Sequence, residues 1–197
     1  MANILDYFYG LLTAPRKTLG DITYGEKLKE SFLIWIFTVL LLVIPSLGTD
    51  NAFVLQLLGT AAVMGLFLLM HCAAVDYTAG LFGGRGTARG ITAGFMASAF
   101  PAGFSVFPAL LSSLGLPDLN GILGFAIFLW IFYLDVTAVE ENYRFGRGKS
   151  LAVALAPFLL LAAVILLLTA AGIAAAVAGL TDMQSEMNEA VSILNQM

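Results

Sequence analysis

The chain has 197 residues, of which 60% are hydrophobic and only 11% are charged, whereas about 25% of the residues of an ordinary soluble domain are charged. So few charged side chains cannot cover a water-exposed surface of this size, which excludes an ordinary soluble domain and predicts an integral membrane protein. The net charge of −4 argues against nucleic-acid binding, and the single cysteine, Cys72, excludes a disulfide-stabilised fold.

The first predicted element is an amphipathic helix at the membrane interface, within a cytoplasmic segment of residues 1–30. Its apolar face is formed by Met1, Ile4, Leu5, Phe8, Leu11 and Leu12, which leaves Asp6, Tyr7 and Gly10 off that face. We expect Pro15 to end this helix, and Phe8, Arg16 and Lys17 to anchor it to the membrane surface. The segment is either a simple anchor that guides insertion or a docking or curvature-sensing element.

Five stretches are long and apolar enough to cross a bilayer, which takes about 20 residues of helix. The spans are predicted at residues 31–48, 52–82, 90–114, 121–142 and 151–179. Pro101 and Pro108 lie seven positions apart in the third span and are expected to bend it. The predicted fold class is therefore an all-α, polytopic membrane bundle with a five-helix transmembrane domain at residues 31–180.

All nine lysine and arginine residues fall in three segments: before the first span, between spans two and three, and between spans four and five. An odd number of spans places these three segments on one side of the membrane. Because Lys and Arg are retained on the cytoplasmic side, we expect a cytoplasmic N terminus and an extracytoplasmic C terminus.

Residues 181–197 are predicted to form a short, acidic amphipathic helix on the extracytoplasmic side. Met183, Met187 and Leu194 lie on its apolar face. This helix is expected to pack either on the membrane surface or on another copy of itself.

Three stretches resemble the Yip domain family, which comprises five-span, Ypt/Rab-interacting membrane proteins and their bacterial relatives. They are FYGLLTAPRKTLGDI, DYTAGLFGGRGTARGITAGFMASAFP and WIFYLDVTAVEENYRFGRGKSLAVALAP. The resemblance implies five spans and a cytoplasmic N terminus. Eukaryotic members carry a long hydrophilic N-terminal region associated with GTPase binding, whereas this chain has about thirty residues there. The resemblance therefore implies a short, bacterial-type member of the inner membrane and argues against a Rab-type GTPase partner.

Two aspartates lie inside predicted spans, where ionisable residues are candidates for function. Asp76 and Asp135 are each about 10 to 12 Å into the membrane from the cytoplasmic side. With His71, Glu140 and Glu141 they form a predicted membrane-embedded polar site. The aspartates are either a hydrogen-bonded clamp between helices or a pair in a proton, ion or lipid-headgroup pathway. His71 is expected to be a packed, neutral residue, and no metal or cofactor is predicted.

The glycine-rich stretch at residues 80–90 joins spans two and three. Its glycines and arginines are either a plain tight turn or a site for an anionic phospholipid headgroup, since backbone N–H groups and guanidinium groups both bind phosphate. The predicted headgroup-binding residues are Arg85, Arg89, Gly83, Gly84 and Gly86.

The sequence lacks the residue patterns of the common hydrolases, kinases and zinc enzymes, so we do not expect an enzyme. The favoured hypothesis is a non-enzymatic membrane protein that acts through lipid or protein contacts in membrane organisation or a trafficking-like role. Its expected partners are anionic membrane lipids and either a second copy or another membrane protein. The alternative is a small transporter, channel or lipid-translocating protein that uses Asp76 and Asp135.

Overall fold

Helices account for all regular secondary structure in the part of the chain that the computed structural model describes, residues 4–46, 53–113 and 117–194. Short 3₁₀ segments at Ile44–Ser46 and Phe100–Ser105 accompany the α-helices. The α-helices are α1 (Ile4–Thr13), α2 (Pro15–Tyr24), α3 (Leu28–Val43), α4 (Phe53–Leu81), α5 (Ala88–Ser98), α6 (Val106–Ser113), α7 (Pro117–Tyr143) and α8 (Arg147–Leu194). The all-α prediction is confirmed for these residues.

Four stretches have the length and composition of membrane spans. They are Phe53–Leu81, Ala88–Leu111, Leu119–Tyr143 and Arg147–Leu180, and they correspond to predicted spans two to five. The predicted first span appears as α3, which has 16 residues, followed by the 3₁₀ turn that contains Pro45. Residues 47 and 48, where this span was predicted to end, lie outside the described residues.

The third span is irregular, as its prolines predict. The α-helical geometry of α5 ends at Ser98, and Pro101 lies in the first turn of the 3₁₀ segment Phe100–Ser105. Pro108 is the third residue of α6. The N–H groups of the first helical turn have no partner within the helix, so proline, which lacks an N–H, costs no helical hydrogen bond there. Only Pro101 therefore coincides with a break in the helix.

The chain divides into two compact units, residues 1–157 and 158–197. The second unit consists, where described, of the C-terminal part of α8. Residues 181–194, predicted to form a short amphipathic helix, are helical and continue α8 without a break. Nothing in the local sequence stops the helix there, since neither glycine nor proline follows Gly179.

The first unit is organised around α5, which packs against α2, α3, α4 and α7. Small residues on α5 allow this close packing. A side chain at Gly94 would place its Cβ 3.0 Å from the Cβ of Ala138 on α7 and 3.0 Å from the Thr23 methyl on α2. The core around α5 includes the fully buried side chains of Ile91 and Leu134.

The two N-terminal helices pack on this bundle. Pro15 both ends α1 and occupies the first position of α2, where its fixed φ suits a helix start. The buried face of α1 carries Tyr7 and Leu11, whereas Leu5 is 66% exposed. Tyr7, which lies off the predicted apolar face, is buried against the protein, because polar partners inside the protein hold its hydroxyl and helical periodicity does not reveal such partners.

Candidate functional site

Three segments that are far apart in sequence meet at one end of the first unit: α2, the α4–α5 loop at residues 82–87, and the α7–α8 turn at residues 144–146. The contacts of α2 with both α5 and α7 bring them together. Together with the residues that directly follow them, 25–30, 88–90 and 147–149, these segments carry all nine lysine and arginine residues. Their meeting creates a polar, cation-rich surface at the ends of the apolar helices.

Arg16 joins α2 to the last turn of α7. Its Nη2 lies 2.7 Å from Oε1 of Glu140, and its Nε lies 2.7 Å from Oε1 of Glu141. The guanidinium thus donates separate charge-assisted hydrogen bonds to two carboxylates, and the bond to Glu141 raises the pKa of Arg16. The Tyr24 hydroxyl also donates a hydrogen bond to Oε2 of Glu141, at 3.3 Å. We call Arg16, Glu140 and Glu141 the Arg16 clamp.

A second polar contact fixes α1 beside the start of α3. Lys27 donates to the Tyr7 hydroxyl at 2.7 Å, and that hydroxyl donates to Asp21 at 3.1 Å. Burial raises the pKa of Tyr7, and the hydrogen bond to Tyr7 raises the pKa of Lys27. Tyr7 therefore stays neutral and Lys27 stays charged at physiological pH, so the contact persists.

The α4–α5 loop is held by Asn142 and Glu26. Asn142 donates through Nδ2 to the backbone carbonyl of Thr87 at 3.0 Å, and the Thr87 hydroxyl donates to Glu26 at 2.9 Å. The hydroxyl oxygen of Thr87 also accepts from the N–H of Gly90, which caps α5. Gly83 has φ of +75°, a left-handed conformation that glycine adopts without strain.

These contacts enclose a cavity of about 550 Å³ at the polar end of the unit. We call it the cationic cavity, because Arg85, Arg144 and Lys149 line it, with Glu26 as the one carboxylate. Arg144 stacks over the ring of Tyr24 at 5.4 Å, and Lys149 lies over the ring of Phe145 at 5.9 Å. These cation–π contacts position the charges without neutralising them.

The three cations of the cavity differ from most of their neighbours in their partners. Among the described residues, none of the three has a carboxylate oxygen within 4.0 Å, whereas Arg16, Lys27, Arg89 and Arg147 all do. Glu26 is already engaged by Thr87 and lies 3.9 Å from Arg89. The cavity therefore presents uncompensated positive charge, which suits an anionic ligand.

The two intramembrane aspartates lie in different surroundings. Asp76 on α4 accepts a hydrogen bond from the Tyr143 hydroxyl at 2.7 Å, and Asp135 on α7 accepts one from the Ser98 hydroxyl on α5. Asp76 lines a cavity of about 410 Å³ and Asp135 another of about 320 Å³. The two carboxyls therefore line two different cavities.

His71 lies in the mostly apolar cavity of Asp135, where its ring stacks on those of Phe67 and Phe95. Glu140 and Glu141 belong instead to the Arg16 clamp. The five residues of the predicted membrane-embedded site are therefore not one cluster. Within the described ranges, no three His, Cys, Asp or Glu side chains are arranged to hold a metal ion.

A comparison with protein families matches residues 9–184 to the Yip1 domain, from the second half of α1 into α8. The chain belongs to the Yip1 domain family. This confirms the resemblance drawn from the three sequence stretches, and it makes the chain an integral membrane protein with apolar membrane-spanning helices. Comparisons with curated proteins and with solved structures find no match.

The Yip1 domain brings only some of the predicted headgroup residues together. Arg85, Gly83 and Gly86 line the cationic cavity. Gly84 instead packs against aromatic rings, since a Cβ there would lie 2.9 Å from both Phe145 and Tyr143. Arg89 is outside the lining and faces Glu26.

Sequence analysis missed Arg144 and Lys149 as partners of Arg85 in the Yip1 domain. In the sequence, their charges indicated only that this turn lies on the cytoplasmic side of the membrane. They flank Gly146 and Gly148 in a turn that follows a span, and Arg85 likewise lies among glycines in a loop that follows a span. This shared pattern of a cation beside glycines after a span was the available signal.

Two of the three predicted surface anchors, Phe8 and Arg16, contact other parts of the protein. The ring of Phe8 lies 5.2 Å from that of Phe37 and 5.1 Å from that of Phe100. Arg16 forms the clamp, and Lys17 is exposed beside it. Membrane anchoring by these three residues stays a prediction.

Proposed function

We propose that this Yip1-domain protein is a non-enzymatic, five-span protein of a bacterial inner membrane whose cytoplasmic face binds anionic lipid headgroups. Through these contacts it organises the surrounding membrane or recruits a protein partner. The observation that carries this proposal is the cationic cavity, in which Arg85, Arg144 and Lys149 have no carboxylate partner among the described residues.

The length of α3 supports a fifth span. Sixteen α-helical residues rise about 24 Å, and the three residues of the following 3₁₀ turn add about 6 Å, which together match a hydrocarbon layer of about 30 Å. Glu26, just before α3, bonds to Thr87, just before α5. The α3–α4 pair therefore leaves and returns to the same end, as two antiparallel spans do.

The charge distribution supports the orientation. All nine lysine and arginine residues of the chain lie within residues 16–29, 85–89 and 144–149, and such residues are retained in the cytoplasm during insertion. With five spans, the N terminus is cytoplasmic and the C terminus extracytoplasmic.

The separation of the aspartates favours contacts over passage. A transport pathway through Asp76 and Asp135 needs one cavity that reaches both, whereas each lines its own cavity and accepts a hydrogen bond from a different helix. Each carboxyl instead acts as an interhelical clamp, which is one of the two roles predicted for it.

Lipid that copurifies with the protein tests the proposal. The double variant Arg85→Gln/Lys149→Gln removes two charges from the cavity, and Lys29→Gln/Arg147→Gln removes two exposed charges that lie outside the cavity lining. We expect the first variant to lose most of the anionic lipid measured by mass spectrometry, and the control to keep it. Equal retention by both variants would contradict a headgroup-binding cavity.

A flux assay tests the transport alternative separately. Wild-type protein in liposomes is expected to pass neither ions nor lipid above the level of empty liposomes. Flux that the substitutions Asp76→Asn and Asp135→Asn abolish would favour the transporter instead.

A further inference from the structure

We propose that the cationic cavity selects a lipid whose headgroup carries two negative charges on phosphate, in the form of two phosphodiesters or one diphosphate. This inference rests on the proposed headgroup binding and specifies its ligand class.

The charge balance of the cavity requires more than one anionic group. Three positive side chains and the carboxylate of Glu26 line it, which leaves an excess of two positive charges. A headgroup with a single phosphodiester would leave one of these charges uncompensated.

The cations come from two separate segments. Arg85 belongs to the α4–α5 loop, whereas Arg144 and Lys149 flank the start of α8. Guanidinium groups bind phosphate through paired N–H donors, so Arg85 and Arg144 each suit one phosphate. Arg144 is further held by the ring of Tyr24. Two guanidinium groups from separate segments that line one cavity of about 550 Å³ favour a ligand with two phosphates.

The rim of the cavity indicates a lipid rather than a free phosphate compound. Phe82 lines the cavity and is 48% exposed, directly after Leu81, the last residue of the α4 span. The apolar surface of that span therefore continues to the cavity edge. A ligand with its phosphates in the cavity has room for its hydrocarbon chains along α4.

Native mass spectrometry of the full-length protein in detergent tests the inference. Cardiolipin carries two phosphodiesters and phosphatidylglycerol carries one. We expect cardiolipin to bind at least about tenfold more tightly. Equal affinity for the two lipids would overturn the selectivity while leaving headgroup binding intact.

Single substitutions locate the site. We expect Arg85→Gln, Arg144→Gln and Lys149→Gln each to weaken cardiolipin binding about fivefold, as the loss of one cation near a lipid phosphate does. Lys149→Arg, which keeps the charge, is expected to bind normally, as is Lys29→Gln. Unchanged binding of both lipids by all three cavity variants would overturn this inference and the proposed function together.

Inorganic pyrophosphate distinguishes the two sources of the phosphate groups. We expect it to displace cardiolipin only weakly, because it lacks the hydrocarbon that contacts α4. Pyrophosphate that binds as tightly as cardiolipin would overturn the assignment to a lipid.

Discussion

Replacing Gly90 by alanine tests the packing that positions the cationic cavity. Gly90 lies in the first turn of α5, and a Cβ there would lie 2.8 Å from the carbonyl oxygen of Thr23 and 3.0 Å from the Thr87 hydroxyl oxygen. It would also overlap the side-chain oxygen of Asn142. Because a backbone carbonyl cannot move aside as a flexible side chain can, α5 must separate from α2.

The expected cost follows from typical overpacking energies. Inserting a carbon into a filled site destabilises a protein by about 1 to 3 kcal/mol, and alanine in a helix returns up to about 1 kcal/mol relative to glycine. With the full return, the net loss is up to about 2 kcal/mol, which corresponds to a melting temperature lower by up to about 8 °C for a domain of this size. Gly80→Ala is the matched control, since nothing lies within 4 Å of a Cβ at that position of α4. It is expected to raise the melting temperature by about 1 to 4 °C.

Cys72 provides the assay. It is the only cysteine of the chain and is 4% exposed in the folded protein. A thiol-reactive fluorescent dye therefore reports unfolding in detergent without further labelling. The two alanine variants should shift in opposite directions, and a Gly90→Ala protein as stable as Gly80→Ala would refute the close packing of α5 on α2.

Three further outcomes are expected. Arg16→Gln should make the N-terminal helices more sensitive to limited proteolysis by breaking the Arg16 clamp, and unchanged cleavage would show that other contacts hold them. In the folded protein the pKa values of Lys27 and Tyr7 are raised above their ordinary values. Their contact therefore stabilises the protein at any pH below those ordinary values, and this stabilisation is lost as the pH rises through the raised pKa values. Proteolysis of α1 should therefore be constant from neutral pH to about pH 10 and increase above it, and Lys27→Met should abolish that increase. Asp76→Asn and Asp135→Asn should have additive effects on stability within about 0.5 kcal/mol, whereas a larger coupling would indicate a shared site.

The predicted bounds of a span agree best with the structure where a long run of apolar residues alone determines the helix. The predicted span at residues 52–82 became Phe53–Leu81, because twenty or more apolar residues have no other stable arrangement in lipid. The α-helix of the first span begins at Leu28 and ends at Val43, and Pro45 lies in the 3₁₀ turn that follows. The α-helix of the third span likewise gives way to a 3₁₀ segment near a proline.

The side on which α1 packs was not predictable from hydropathy. Both of its faces carry large apolar residues, so helical periodicity did not separate the protein-facing Tyr7 from the exposed Leu5. The deciding interaction is the hydrogen bond between Lys27 and the Tyr7 hydroxyl, which joins residues from different helices.

The residues of the candidate site are brought together by contacts between segments that are distant in sequence. The loop with Arg85 was found from its glycines, but its partners Arg144 and Lys149 come from a turn about sixty residues later. Similarly, Tyr143 and Ser98 donate hydrogen bonds to the two aspartates, whereas the hydroxyls of Thr78 and Thr137, two residues from the aspartates in sequence, donate to carbonyls of their own helices. A single sequence contains no signal for pairings that only helix packing creates.

Cross-linking in native membranes tests the central claim, that distant cationic segments meet at one cytoplasmic face. Arg16 and Glu141 are 125 residues apart in sequence and in direct contact. With Cys72 replaced by serine, the pair Arg16→Cys/Glu141→Cys should be joined by a short, membrane-impermeant bis-maleimide in inverted vesicles and not in right-side-out vesicles. A pair that reacts without cross-linking, or that cross-links only from the extracytoplasmic side, would contradict this account.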